Sequence, residues 1–386
     1  MKITDVAVHV VRPFDESPFG PEHHPSYVFV EISTDDGITG FGEGSNWLHG
    51  SDLIVATAAR EIGRSLVGAD PYNIEKVWND TFRKYTYLGN RGVITHALSG
   101  IDMALWDIKG QALGVPVHEL LGGAIRDRVR LYTHPGGGMP DEVASKCVAL
   151  QGLGYEAFKF DPFYEMQARH SNYVDGYISR RGIREATEIV RAVREATGPD
   201  AEIMIDFHGQ YNVEAAVRCI DALQPFGITW FEEPLPPESV AGLAQVRSRT
   251  DAPLCVGERL HTRFDFAPIL SAGLADFIMP DVCWTGGISE LRKIATLAES
   301  YFVPVAPHGA VGPLQAIAGA HVMMVTPNFY RLEVLGPDIL ELYNEALTAP
   351  LDVRDGELGV SGSPGLGVAL NLDYARRRAH PDWSPR

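Results

Sequence analysis

Eight short apolar, β-rich runs alternating with helical patterns constrain this chain more than any other feature. From about Glu156 onward they read "EAFKF", "AEIMID", "ITWFEE", "APLCVGE", "ADFIMPD", "VPVAPH" and "FYRLEV", with "VRLYT" (129–133) ahead of them. Between two of the runs Ile183, Ala186, Val190 and Val193 recur at helical spacing, with Arg184, Glu188, Arg191 and Glu195 among them and Gly198 as a C-terminal stop. Each run with its helix is a βα unit. Eight strands over about 220 residues fit a (β/α) barrel better than an open sheet, because no glycine-rich dinucleotide fingerprint follows the first strand. The barrel is expected from about 125 to 350.

Residues 1–124 have another texture. "DVAVHVV" and "YVFVEISTDDGITGFGE" predict an antiparallel meander turning near Asp35, Asp36 and Gly37. Ile101, Ala104, Leu105 and Ile108 then mark a helix face, so an α+β domain precedes the barrel. The tail "GSPGLGVALN" has no helix after it to receive a phosphate, and about 351–386 are expected to return to the first domain. A chain of 386 residues exceeds what one core usually serves. Net charge is -17 with no run of lysines or arginines longer than the three at 376–378, which argues against nucleic acid and anionic membrane as partners. The four cysteines lack metal-type spacing and read as small core residues. Residues 1–12 lack a signal-peptide pattern and no apolar run reaches membrane-spanning length, so the cytoplasm is the expected location.

Acids close three of the runs. Asp206 ends "AEIMID", Glu232 ends "ITWFE" and Glu258 ends "LCVGE", each 26 residues from the next, or one βα unit. They fall at the C-terminal ends of three neighbouring strands, the barrel face on which such enzymes keep their chemistry. Any one alone reads as a helix N-cap or an ion-pair partner. Three together repel one another unless a cation sits among them, and hard carboxylate oxygens suit Mg2+. His208 stands two residues beyond Asp206, and residues two apart on a strand share a face, so it is expected beside the ion site. Asp281 and His308 lie 27 residues apart at two later strand ends, where a carboxylate would hold the tautomer of a general base. Glu333 follows 25 residues on. Taken singly His308 is a loop histidine and Glu333 a surface acid; in register with the others they join one site.

The segment "ALSGIDMALWDIKGQALGVPVHELLGG" (97–123), together with these strand-end residues, resembles the enolase superfamily, mandelate racemase subgroup. Within it, "DFHG" (206–209), "EEP" (232–234), "GERLHTRFDF" (257–266), "GG" (286–287) and "APH" (306–308) resemble the galactonate dehydratase-like acid sugar dehydratases. The resemblance covers nearly the whole chain. It implies an α/β fold, a (β/α)7β-type modified TIM barrel with an N-terminal α+β capping domain. It implies Asp206, Glu232 and Glu258 as Mg2+ ligands, His308 with Asp281 as the base dyad, His208 as the general acid and Glu333 as a substrate-contacting residue. Sites of this superfamily pair a Lys or His base with Mg2+ that stabilises an enediolate. A homo-oligomer is also implied.

The reaction so implied is dehydration of an aldonate by a carbon–oxygen lyase. His308 takes the C2 proton, His208 protonates the departing 3-hydroxyl, and the enol becomes a 2-keto-3-deoxy acid. The second strand reads "FKFD": Lys159 is present, but Asp161 stands where the racemase and cycloisomerase branches carry a second lysine, which favours elimination. Lys159 and Asp161 read equally as substrate contacts, or as a counter-charge and a cap. The stretches "PFDESPFGPEHHPSY" (13–27) and "FDPFYEMQARHSNYVDG" (160–176) look longer than in those dehydratases, and "HGAVGPLQ" differs after the base. In this family a capping-domain loop contacts the distal end of the substrate; His23, His24, Asn46, Trp47 and Arg91 are candidates there, each readable also as a solvated loop residue. The substrate is therefore expected to be galactonate or a related sugar acid. Two rival readings are an epimerase or cycloisomerase, in which two histidines exchange protons on opposite faces, and a non-catalytic barrel serving as a binding module. The second predicts a broken constellation, and here every position is filled.

Overall fold

The computed structural model describes residues 1–15, 25–46, 51–163 and 176–386. His23, His24, Trp47 and most of the two long stretches named above lie outside the described residues. At the N-terminus β1 (Ile3–Val11), β2 (Tyr27–Thr34) and β3 (Thr39–Glu43) form an antiparallel sheet in sequence order, turning at Gly37 with φ 78°. Alternation sends Val6, Val8, Val10, Val28, Val30 and Ile32 to one face. That face forms a core with α1 (Asp52–Arg64), α2 (Ile74–Lys84) and α3 (Val93–Leu113). The α3 helix lies so close to β3 that a Cβ on Gly42 would sit 2.0 Å from the Gly100 carbonyl oxygen, so glycine is required where they cross. It ends at Gly114, whose left-handed φ of 71° closes the last turn. A short α4 (Val117–Leu120) leads to the barrel.

The barrel region runs β4 (Arg128–Tyr132), α5 (Pro140–Gln151), β5 (Ala157–Phe160), α6 (Arg180–Thr197), β6 (Glu202–Asp206), α7 (Val213–Leu223), β7 (Ile228–Glu232), α8 (Val240–Arg247), β8 (Leu254–Val256) and α9 (Thr262–Ser271). It continues with β9 (Phe277–Ile278), α10 (Gly287–Glu299), α11 (Pro313–Met323), β10 (Leu332–Glu333) and α12 (Pro337–Ala346). The α6 helix has the expected face, with Ala186, Val190 and Val193 buried, the Ser179 hydroxyl capping the Gly182 amide, and Gly198 after its end. Strands β5 to β9 pair in parallel, in order, and β10 pairs in parallel with β4. Single parallel bridges at Thr133–Phe158, Ile278–Val305 and Val305–Phe329 complete the circuit. The strand expected in "VPVAPH" shrinks to a pair of single bridges at Val305 because Pro304 and Pro307 carry no N–H; only the Val305 and Ala306 amides reach carbonyls of the flanking segments, both at 2.8 Å.

Inside the circuit Tyr132, Ala157, Met204, Trp230, Cys255, Met279 and Ala306, joined by Tyr330, form one buried cluster. Each comes from a different strand of the circuit or from the bridged segment beside it, so the barrel is filled below the mouth by a layer of side chains. The tail departs from expectation in one place. β11 (Asp352–Arg354) and β12 (Glu357–Gly359) form a hairpin that pairs antiparallel with β4 of the barrel, so the return to the first domain does not begin at 351. It begins near Gly365, which bridges Pro116, and continues through α13 (Leu372–Arg377) to Ala379, which bridges Val11. Among the described residues no helix is long and apolar enough to cross a membrane.

Candidate active site

The filling layer sets the phase of the mouth. Two residues beyond Ala157, Met204, Trp230, Met279 and Ala306 stand Lys159, Asp206, Glu232, Asp281 and His308, on the same inward face and one step nearer the mouth. Asp206 and Glu232 are direct partners in the β6–β7 ladder. Glu258 is not in that register: Glu232 is paired with Cys255, and Glu258 follows a break at Gly257. Gly257 has φ 143°, and a Cβ there would lie 2.7 Å from the Phe266 ring, so this kink requires glycine and turns Glu258 back inward. One oxygen from each of Asp206, Glu232 and Glu258 then lies within 4.8 Å of the others.

Lys159 sits in the floor of this cluster, 2.5 Å from Glu232, 2.9 Å from Glu333 and 3.4 Å from Asp206. Burial disfavours its charge, but Glu232 and Glu333 outweigh that and hold it well above the ordinary lysine range. Glu333 is fully buried: one oxygen faces Lys159 and His134, the other accepts from the Gly309 amide at 2.9 Å and lies 3.7 Å from His308. Burial raises Glu232 far above the usual carboxylate range, with the Asp206 charge adding to it. Burial opposes Asp206 too, yet His208 and Lys159 overcome it and hold Asp206 low. Three carboxylate oxygens converging on a point match the donor set a hard divalent ion takes.

Two histidines flank the cluster from β6 and from the Val305 segment, four strands apart around the circuit and so on opposite sides. His308 Nδ1 is 2.5 Å from Asp281, and its Nε2 faces inward, 3.5 Å from Glu258. Its ring packs on Trp284 at 4.9 Å. Burial lowers His308, but Glu333, Glu258 and Asp281 prevail and raise it to about 9. His208 Nδ1 is 2.8 Å from the buried carboxylate of Asp161, and its Nε2 is 3.4 Å from Asp206. Burial again opposes the charge; Asp206 and Asp161 raise it to about 10.

His208 does not arrive by strand alternation. β6 stops at Asp206, and His208 adopts φ 48° with its amide donating to the Asp206 carboxylate at 2.7 Å. A turn, held by the carboxylate it follows, aims the ring. Asp161 spans that turn to His208 and also accepts from the Phe163 amide at 2.7 Å. Arg91 is placed elsewhere: it pairs with Asp265 at 2.9 Å, tying the N-terminal region to α9. Asn46 lies 3.5 Å from His96. Residues absent from the sequence expectations also meet here. His134 reaches Glu333 from two positions past Tyr132, an alternation the first strand already displays. Arg259 bridges Glu233 at 2.6 Å and Glu258 at 3.0 Å, and Gln315 donates to Asp281. No local pattern marks the last two.

Family models described as the mandelate racemase / muconate lactonizing enzyme N-terminal domain and the enolase C-terminal domain-like region match residues 1–122 and 142–375. The chain belongs to the enolase superfamily, mandelate racemase subgroup. Over 369 residues, 93% of each chain, this superfamily member is 36% identical to a D-galactonate dehydratase of Xanthomonas oryzae pv. oryzae, and over 368 residues equally so to one of Ralstonia nicotianae. It is likewise similar to the crystal structure of an enolase superfamily member from Salmonella Typhimurium, with TM-score 0.90, 29% identity and 97% and 98% of the two chains covered. A mandelate racemase/muconate lactonizing enzyme-like protein from Rubrobacter xylanophilus superposes with TM-score 0.89 at 32% identity, over 100% and 99% of the chains. The protein is thus an enolase-superfamily enzyme similar along nearly its whole length to carbon–oxygen lyases, with a carboxylate triad able to hold a divalent metal.

Proposed function

We propose that the protein is a Mg2+-dependent acid sugar dehydratase acting on galactonate or a related aldonate. The observation that carries this reading is the pair of histidines on opposite sides of the carboxylate cluster, each with Nδ1 held by a buried acid and Nε2 turned inward. Asp206, Glu232 and Glu258 would hold the ion. When bound, a divalent cation stabilises the negative charge that gathers on the substrate carboxylate as C2 loses its proton. Asp281 fixes the Nδ1–H tautomer of His308, which leaves the Nε2 lone pair to take that proton. Asp161 at Nδ1 and Asp206 near Nε2 instead favour the doubly protonated ring of His208, so its Nε2–H is the donor to the departing 3-hydroxyl. The enol that remains becomes a 2-keto-3-deoxy acid with loss of one water. Lys159 keeps the floor of the cluster from carrying its full negative charge, and Glu333 holds Lys159 and His134. The presence of Asp161 in place of a second lysine supports elimination over racemisation. The same reading takes the enzyme as a cytoplasmic homo-oligomer.

A panel of aldonates and aldarates incubated with Mg2+ tests it, with semicarbazide-reactive 2-keto acid as the product measured. At least one aldonate is expected to turn over, and His308→Asn to lower that rate by roughly 10²- to 10⁴-fold. Exchange of the C2 proton in D2O without keto acid from any member of the panel would instead identify an epimerase.

A further inference from the structure

The base dyad does not stand on barrel residues alone. Asp281 is fully buried and takes three donors: the Cys283 amide at 2.6 Å, His308 Nδ1 at 2.5 Å and the Gln315 side-chain amide. Gln315 has its orientation set in turn, since its oxygen accepts from the Val311 amide at 2.9 Å and its nitrogen must therefore face Asp281. Gln315 lies in the first turn of α11, whose exposed amides need acceptors. That acceptor comes from the N-terminal region: Glu43, at the end of β3, accepts from the Leu314 amide at 2.9 Å and the Gln315 amide at 3.0 Å. Its other oxygen accepts from the Ser45 hydroxyl at 2.6 Å. Gly312 makes room, since a Cβ there would lie 1.7 Å from Glu43. The second support of His308 has the same origin. Trp284, which packs on the His308 ring, donates its indole N–H to the Ser45 carbonyl at 2.8 Å and stacks on His96 of α3 at 5.5 Å.

We propose that Glu43 is a positioning residue for the base: by seating the first turn of α11 it fixes Gln315 on Asp281, and through them the orientation and tautomer of His308. The N-terminal region is then part of the proton-transfer apparatus as well as a cover. The inference rests on His308 acting as the base in the proposed function.

The test compares Glu43→Ala, Gln315→Met and the conservative Glu43→Gln with Lys293→Met, which removes a surface contact to Glu75 far from the site. Against an aldonate that the wild type dehydrates, Glu43→Ala and Gln315→Met are expected to lose about 10- to 100-fold in kcat with KM within about threefold, the scale of a lost supporting hydrogen bond. Glu43→Gln keeps an acceptor for the two amides and restores most of kcat; Lys293→Met changes nothing. A substrate-free readout accompanies this, namely the downfield proton resonance of the His308–Asp281 hydrogen bond, assigned by its loss in His308→Asn. It should move or broaden in Glu43→Ala and Gln315→Met only. Wild-type kcat and an unmoved resonance in Gln315→Met overturn the relay, and the same pair of results in Glu43→Ala overturns the role of Glu43. If Glu43→Ala fails to fold, Glu43→Met, which keeps the volume and removes the acceptor, is read in its place. If the wild type dehydrates no aldonate, the functional reading fails, and the resonance still decides the positioning.

Discussion

His308 shows how one side chain carries two pH effects of different sign. In the folded, cation-free protein it stands at about 9, against about 6.5 for an unperturbed histidine. Its folded value is the higher, so the stability it contributes is fully present below pH 6.5 and lost as the pH climbs through 9. Thermal unfolding of cation-free protein should therefore show a smaller fall in Tm between pH 6.5 and 9 in His308→Asn than in the wild type. The proposed role as base would run the other way, because a base must be neutral to take a proton. A divalent cation held beside Glu258 would offset the acids that raise His308, so kcat/KM with saturating Mg2+ should rise with pH along a limb centred below 9. Glu232 adds a third expectation. Burial and the Asp206 charge push it well up when no cation is present, so cation binding there is expected to release a proton. Titration calorimetry in buffers of differing ionisation enthalpy should register net proton release, and Mg2+ affinity should weaken as pH falls. At this scale Asp206, Glu232 and Glu258 were legible because acids one βα unit apart at successive strand ends repel unless something holds them together. Arg259 and Gln315 were not, since nothing in their neighbours signals a partner across the barrel.

At the scale of elements α11 does more than span two strands. Its first turn carries Gln315, and toward its other end His321 is buried against α4 and the tail, with Nδ1 accepting from the His118 amide at 3.2 Å and Nε2 facing the Leu366 carbonyl at 3.2 Å. Burial holds His321 at about 3. Here the folded value is the lower, so below about pH 6.5 the unfolded chain takes a proton that the folded chain refuses. Stability is intact above 6.5 and falls as pH drops toward 3, by about 1.4 kcal/mol per pH unit for one proton. Urea unfolding should show a lower midpoint for His321→Asn at pH 7, but a flatter decline between pH 6 and 4 than in the wild type. Element types were largely legible, because hydrophobic period is local. The α6 face and the short runs ending in Asp206 and Glu232 stand where the periods put them. The "VPVAPH" strand contracted to two single bridges at Val305 because two prolines remove its donors, and the β11–β12 hairpin on β4 had no signal before the fold brought those segments together.

At the scale of the molecule the tail closes the N-terminal sheet. β1 is an edge strand, and the tail covers it through Arg12 to Arg378, His380 to Val10 and Val8 to Pro385 backbone bonds, with the Trp383 indole on the Val8 carbonyl. Removing residues 378–386 should cost about 2–5 kcal/mol in denaturant unfolding, at about 1 kcal/mol per bond, and raise light scattering on heating as the edge is bared. By itself the sequence determined the βα period, the acids and histidines one unit apart and the meander before them, because strand and helix periods are written in neighbouring residues. Only the tertiary structure decided that Asp161 serves His208, that Glu258 enters through a glycine kink out of register, and that Glu43 reaches α11. Those pairings join residues far apart in the chain, and what selects them is the close packing of two regions against each other, which no local pattern encodes.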